Sequence, residues 1–317
     1  MNDVCPFQWQ RNMRRISSYD KELNAGATAR RVFSAAKRAA AGRRKQETGH
    51  SSIRHKFLLS ILVIVCCGSF PCGAGALVAQ NKYNFAQLGE ETWSLVKQPV
   101  QWQASDWLKV GLAGVGTLLV MEADQPVREA ALRNSRYSKS VPIECGRAWG
   151  ELYTPAVFFS GFTLHSLITD DIRTRKIGFE IGQAAIYASV VIQLMKMAIG
   201  RARPYTNEGS KTFRPFSRLS LDFDYESLPS GHTTVAFALS TVLSRNAEAG
   251  WLKGILYVPA ALTFVSRVYQ DQHWTSDAFL GAAIGYFVAT WVVDQHENKE
   301  STIEMSLSYP LTVRMRF

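Results

Sequence analysis

The sequence predicts an all-α bundle, and three observations predict it. Six mostly apolar segments, 107–121, 153–168, 181–199, 233–244, 254–266 and 278–293, punctuate the body of the 317-residue chain. Ala, Gly and Ser recur along them, as in helices packed closely enough for their backbones to approach. No βαβ alternation and no Gly-rich phosphate fingerprint lies between them. Each segment is near the lower length limit for a membrane-crossing helix, so the bundle is expected to be membrane-embedded.

The elements follow in chain order. Residues 1–56 hold thirteen Lys and Arg against four Asp and Glu, which is +9 of the total +10. They read as a basic, disordered tail. The rest of the chain is almost neutral, so the charge does not describe a nucleic-acid binder, and no such module is visible in the body. At 57–76 a basic flank, Arg54-His55-Lys56, precedes the apolar run Phe57–Phe70 and then Ala74-Gly75-Ala76. These are the parts of a secretory signal peptide, with an uncleaved membrane anchor as the other reading; both point to export. Residues 77–104 are expected to be a linker, 105–295 the functional domain, and 122–150 and 201–228 its polar loops. From Ile303 to Phe317 apolar residues fall on every second position, the pattern of an amphipathic strand. The segment 296–317 is therefore expected to be a C-terminal β-strand, pairing with a stretch such as 81–103. Five cysteines without Cys/His ligand spacing support neither a disulfide framework nor a zinc or iron–sulfur site.

Three clusters carry chemistry. Lys196 closes an apolar helix and Arg203-Pro204 follows seven residues on, about two helical turns. Pro229-Ser230-Gly231-His232 runs into the next apolar segment. There Ser230 is placed to cap a helix, Gly231 allows close backbone approach, and the first-turn N–H groups face an anion. In the third cluster Ser266-Arg267 precedes His273, and Asp277 follows it by four residues. Asp277 is placed to accept from the His273 ring, fixing its tautomer and leaving the other nitrogen nucleophilic. Each cluster alone reads equally as capping chemistry. His50, His55, His165 and His296 have no partner pattern.

Taken together, Lys-x6-Arg-Pro, Pro-Ser-Gly-His and Ser-Arg-x5-His-x3-Asp resemble the type 2 phosphatidic acid phosphatase (PAP2) superfamily. That superfamily also includes bacterial acid phosphatases and vanadium haloperoxidases. Eleven specified residues at fixed spacing carry the resemblance, over about 180–295, and the six-helix count extends it to about 105–295. It implies a six-helix PAP2-type bundle and a metal-independent phosphomonoesterase with no cofactor. Lys196, Arg203, Ser230, Gly231 and Arg267 would bind phosphate; His273 would be the nucleophile, oriented by Asp277, and His232 the general acid and base. The expected substrate is a lipid phosphate or diphosphate, hydrolysed through a phosphohistidine. A soluble periplasmic acid phosphatase with a small phosphomonoester substrate, and a vanadate-dependent haloperoxidase, are the alternatives within the same site. A non-catalytic envelope protein is the alternative outside it. The expected partners are the substrate and the membrane, with no nucleic acid and no obligate protein partner. The expected location is the cell membrane, multi-pass, with the active site facing the periplasm. An exported site requires one apolar segment not to span, and 107–121, which carries Lys109, is the candidate.

Overall fold

The structure, a computed structural model, describes residues 83–217 and 223–304, and in them regular structure is helical. The α-helices are α1 (Phe85–Gln101), α2 (Ala104–Met121), α3 (Asp124–Arg133), α4 (Val141–Trp149), α5 (Tyr153–Thr169), α6 (Ile172–Ile199), α7 (Gly231–Asn246), α8 (Gly250–Ile255), α9 (Val258–Tyr269) and α10 (Thr275–Glu304). Five of the six apolar segments of the sequence fall within single helices, and 254–266 runs from the end of α8 across a turn at 256–257 into α9. The basic tail, residues 1–56, lies outside the described residues. So do the segment 57–76 and residues 305–317 of the expected strand.

Three sequence expectations need correction. The linker 77–104 contains α1, which Asn84 opens by accepting from the Gln87 N–H at 3.0 Å. Helix therefore occupies the stretch that was to pair with a strand. The loop 122–150 contains α3 and α4, and α4 buries Ile143, Ala148 and Trp149. Both α1 and α4 are amphipathic rather than apolar throughout, so a search for long apolar runs passes over them. Finally, residues 296–304 continue α10 instead of beginning a strand.

Local chemistry sets the ends of the long helices. Asp171 caps α6 by accepting from the Arg173 N–H at 3.0 Å. Gly200 stops it in the left-handed region at φ +61°, where a Cβ would lie 1.8 Å from the Arg214 carbonyl oxygen. Only glycine fits there. In the first turn of α10, Asp277 reaches back to accept from the Trp274 N–H at 2.8 Å.

The buried centre is α7, packed by α6, α9 and α10. Phe158, Phe162, Ile177, Ile181, Leu239, Val242 and Val292 form the core around it, each such side chain contributing about 1.5–3 kcal/mol of burial. Gly281 and Gly285 let α10 lie directly on α7: a Cβ there would meet the Ser230 and Thr234 carbonyl oxygens at 2.6 and 2.2 Å. Helices α2, α6 and α9 run toward one end of the bundle, and α5, α7 and α10 run away from it.

At the far end His296 is fully buried, with Nδ1 3.0 Å from Glu180 and Nε2 3.2 Å from Glu91. Gln183 donates to Glu91 and Asn246 to Glu180. This network ties α1 to α6, α7 and α10 and gives His296 the partners its sequence context did not reveal. By length and composition, α2, α6 and Thr275–Glu297 of α10 are long and apolar enough to cross a membrane. In α2 only 6% of the apolar window is buried, although its part 107–121 was the segment expected not to span. Leu112, Leu119, Leu164, Ile168, Val190 and Val258 are among the exposed apolar side chains, a surface too extensive for an ordinary soluble monomer.

Candidate active site

The three sequence clusters come together at the end where α6 finishes and α7 begins. Lys196 occupies the last turn of α6, and the chain leaves Gly200 in an extended run through Arg201 to Arg203, whose N–H donates to the Asp224 carbonyl at 2.9 Å. After the cis Leu228–Pro229 peptide, Ser230 leads into α7 with Gly231 and His232 in its first turn. A Cβ on Gly231 would lie 3.7 Å from the Lys196 Nζ, so the first two sequence clusters meet here. Ser230 is fully buried and its N–H donates to the Asp277 carbonyl at 2.9 Å, which joins the second cluster to the third. Arg267 lies in the last turn of α9, and the N–H groups of Gln272 and His273 both return to its carbonyl. All the residues singled out by the sequence therefore lie at one end of the bundle.

The ring of His273 is held differently from the expectation. Its Nδ1 is 2.8 Å from the Ser227 carbonyl oxygen, whereas the Asp277 Oδ2 is 3.9 Å away, outside hydrogen-bond range. The Asp277 carboxylate is engaged elsewhere: Oδ2 accepts from the Ser227 hydroxyl and the Trp274 N–H, and Oδ1 from Arg201. The chemical outcome is unchanged, because a carbonyl accepts only from N–H. The proton sits on Nδ1 and Nε2 keeps its lone pair. Asp277 acts one step back, fixing the Ser227 side chain and the start of α10.

Arg201 is a site residue the motif spacing passed over. It is fully buried and bridges two buried carboxylates, Asp124 at 2.7 Å and Asp277 at 2.5 Å, while also donating to Ser276 and the Ser210 carbonyl. Asp124 in turn accepts from the Ser276 N–H and hydroxyl. A second layer was also missed. Arg267 donates to Gln270, Gln270 to Glu144, and Arg147 to both Glu144 and Glu151. Glu151 then stands 3.3 Å from the His232 Nε2.

The electrostatics are those of an anion site. Burial, then the charges of Arg203, Lys196, Arg267 and His232, hold His273 well below the ordinary imidazole pKa, so its ring is neutral and nucleophilic. Burial also pulls Arg267 down to about 10, still protonated at neutral pH. The buried Nε groups of Arg203 and Arg267 and the Ser266 hydroxyl have no hydrogen-bond partner among the described residues. A buried guanidinium donor left unpaired costs about 1–3 kcal/mol or more, and an oxyanion between the two arginines would remove that cost.

Residues 178–301 match the model of the PAP2 superfamily. The chain is 26% identical over 201 residues to the lipid A 1-phosphatase of Rhizobium etli, an alignment covering 59% of this chain and 82% of that one. It is 38% identical over 73 residues to the lipid A 1-phosphatase of Porphyromonas gingivalis, covering 22% of this chain but only 16% of the relative. Among solved structures, Aquifex aeolicus LpxE aligns with 51% of this chain and 94% of its own at 21% identity and a TM-score of 0.37.

Proposed function

From the match of residues 178–301 to the PAP2 superfamily model, we propose that this chain is a membrane lipid-phosphate phosphatase working through a phosphohistidine on His273. The observation that carries the reading is the pair of buried, unpaired guanidinium Nε donors of Arg203 and Arg267, two arginines whose charges act on the neutral imidazole of His273 just before a helix start. Lys196, Arg203, Arg267 and the first N–H groups of α7 hold the phosphoryl oxygens and take up the charge of the transition state. The His273 Nε2 lone pair forms the P–N bond as the P–O bond to the lipid breaks, and the leaving oxygen takes a proton from His232. Water then gives a proton back to His232 as its oxygen bonds phosphorus and the P–N electron pair returns to His273. No step requires a metal. The exposed apolar faces of α2, α5, α6 and α9 suit lipid on their outer side.

The names of the two relatives direct the substrate choice toward a glycolipid 1-phosphate of the lipid A type. The test is a panel of lipid A, phosphatidate, isoprenyl diphosphate, phosphatidylglycerol phosphate and 4-nitrophenyl phosphate, assayed with detergent-solubilised protein. The expected result is highest kcat/KM on one of the lipids; preference for the soluble aryl phosphate contradicts the lipid reading.

In this reading the bundle crosses the cell membrane several times with its site at the periplasmic face. Because α2 runs toward the site, residues 83–103 then lie in the cytoplasm. A membrane-impermeant maleimide on a cysteine-free background tests this. Lys211→Cys, at the site end, is expected to label in intact cells, and Glu248→Cys, at the far end, only after permeabilisation. The reverse pattern puts the site in the cytoplasm.

A further inference from the structure

We infer that Glu151 is a positioning residue for the acid–base histidine: it hydrogen-bonds one nitrogen of the His232 ring, favours the protonated form against the surrounding cations, and leaves the other ring nitrogen to serve the departing oxygen. The inference rests on the phosphatase reading above. Glu151 belongs to none of the sequence motifs. It sits at the corner between α4 and α5, one residue after Gly150, and that corner is pressed against the start of α7. A Cβ on Gly150 would meet the His232 carbonyl oxygen at 2.7 Å and the His232 Cβ at 2.9 Å. The close approach brings the Glu151 Oε1 to 3.3 Å from the His232 Nε2.

The charges around His232 show why a carboxylate is needed there. Arg267 faces it from α9, Lys196 from α6 and His273 from the loop before α10; the two cations oppose an imidazolium. Burial opposes it as well, and is the largest cause of the lowered His232 pKa. Glu151 is the carboxylate hydrogen-bonded to the ring, and it acts in the opposite direction. Its own carboxyl is held ionised, first by the bond to His232 and then by Arg147 and Arg267. Arg147, donating at 3.0 Å, fixes the carboxylate in place and is itself anchored by Glu144. The reaction starts with His232 protonated and ends with it protonated, because the water consumed in the second half supplies the proton lost in the first. Glu151 therefore gains and loses no proton; it sets how much of the enzyme is ready to begin.

A leaving group that needs a proton should feel this and one that does not should not. The full-length chain and Glu151→Gln are compared in detergent on phosphatidate, whose alkoxide leaves with difficulty, and on 4-nitrophenyl phosphate, whose phenolate leaves unaided. The expected loss in kcat is about 10- to 100-fold on phosphatidate at neutral pH, part of what general acid catalysis supplies, and under about 3-fold on the aryl phosphate. Removing the carboxylate lowers the His232 pKa further, so the basic limb of kcat/KM should move to lower pH. The substrate's own ionisation is common to both proteins and cancels. Equal losses on the two substrates, an unmoved basic limb, or faster turnover by the variant would overturn the inference, the last by making Glu151 a competitor for the phosphate site. Wild-type protein that turns over neither substrate nor the lipids of the panel would sink the phosphatase reading itself.

Discussion

His273→Ala is expected to lower phosphatase turnover on the order of 10⁴-fold or more while leaving the protein folded. The size follows from what the ring supplies. Its Nδ1–H is committed to the Ser227 carbonyl, so Nε2 is the free lone pair, and burial, with the cations of Arg203, Lys196 and Arg267, keeps the ring neutral. Alanine removes the nucleophile and leaves the anion-binding groups in place, so substrate affinity should fall far less than turnover. Steady-state kinetics on the preferred lipid measures both, and circular dichroism with a melting curve checks the fold. A variant retaining a tenth of wild-type kcat would contradict the assignment.

The largest effect on stability is expected from Arg201→Met. The guanidinium is fully buried between Asp124 and Asp277, and its loss leaves two buried carboxylates without their shared cation. Removing one partner of a buried ionic network costs about 3–5 kcal/mol, much of it the desolvation of the charges left behind. Thermal unfolding in detergent should show a clear fall in midpoint, and Asp124→Asn added to Arg201→Met should recover part of it by removing one orphaned charge. Activity should fall too, since Asp277 fixes the Ser227 side chain beside the His273 ring. A stable, fully active Arg201→Met protein would show that the network positions nothing.

The site was readable to the extent that its chemistry demands particular residues at fixed local spacing. Lys196 to Arg203, Pro229 to His232 and Ser266 to Asp277 each span a helix end, where two or three turns decide which groups point together. What lies beyond was written in long-range contacts. Arg201 meets Asp124 across 77 residues, and Glu151 meets His232 from a corner with no motif of its own. The orienting partner of His273 is a backbone carbonyl, which no side-chain pattern can announce; Asp277, four residues along, offered a plausible substitute. The fold divides in the same way. Long apolar runs marked α2, α5, α6, α7, α9 and α10, whereas α1 and α4 are held by a few inward-facing residues, Gln87 and Glu91 in one and Ile143, Ala148 and Trp149 in the other, on otherwise mixed sequences. Alternation from Ile303 read as a strand; its first two residues, Ile303 and Glu304, lie in the last turn of α10, and the rest lies outside the described residues.

The most direct test of the central claim is to trap the intermediate. Substrate labelled with ³²P at the scissile phosphate is mixed rapidly with wild-type protein and quenched in denaturant at alkaline pH, and the labelled peptide is mapped. The account predicts a phosphoryl group that is stable in base, labile in acid, located on His273 and absent from His273→Ala. Label on another residue, or multiple turnover by wild-type protein with no covalent label under single-turnover quench, would contradict it.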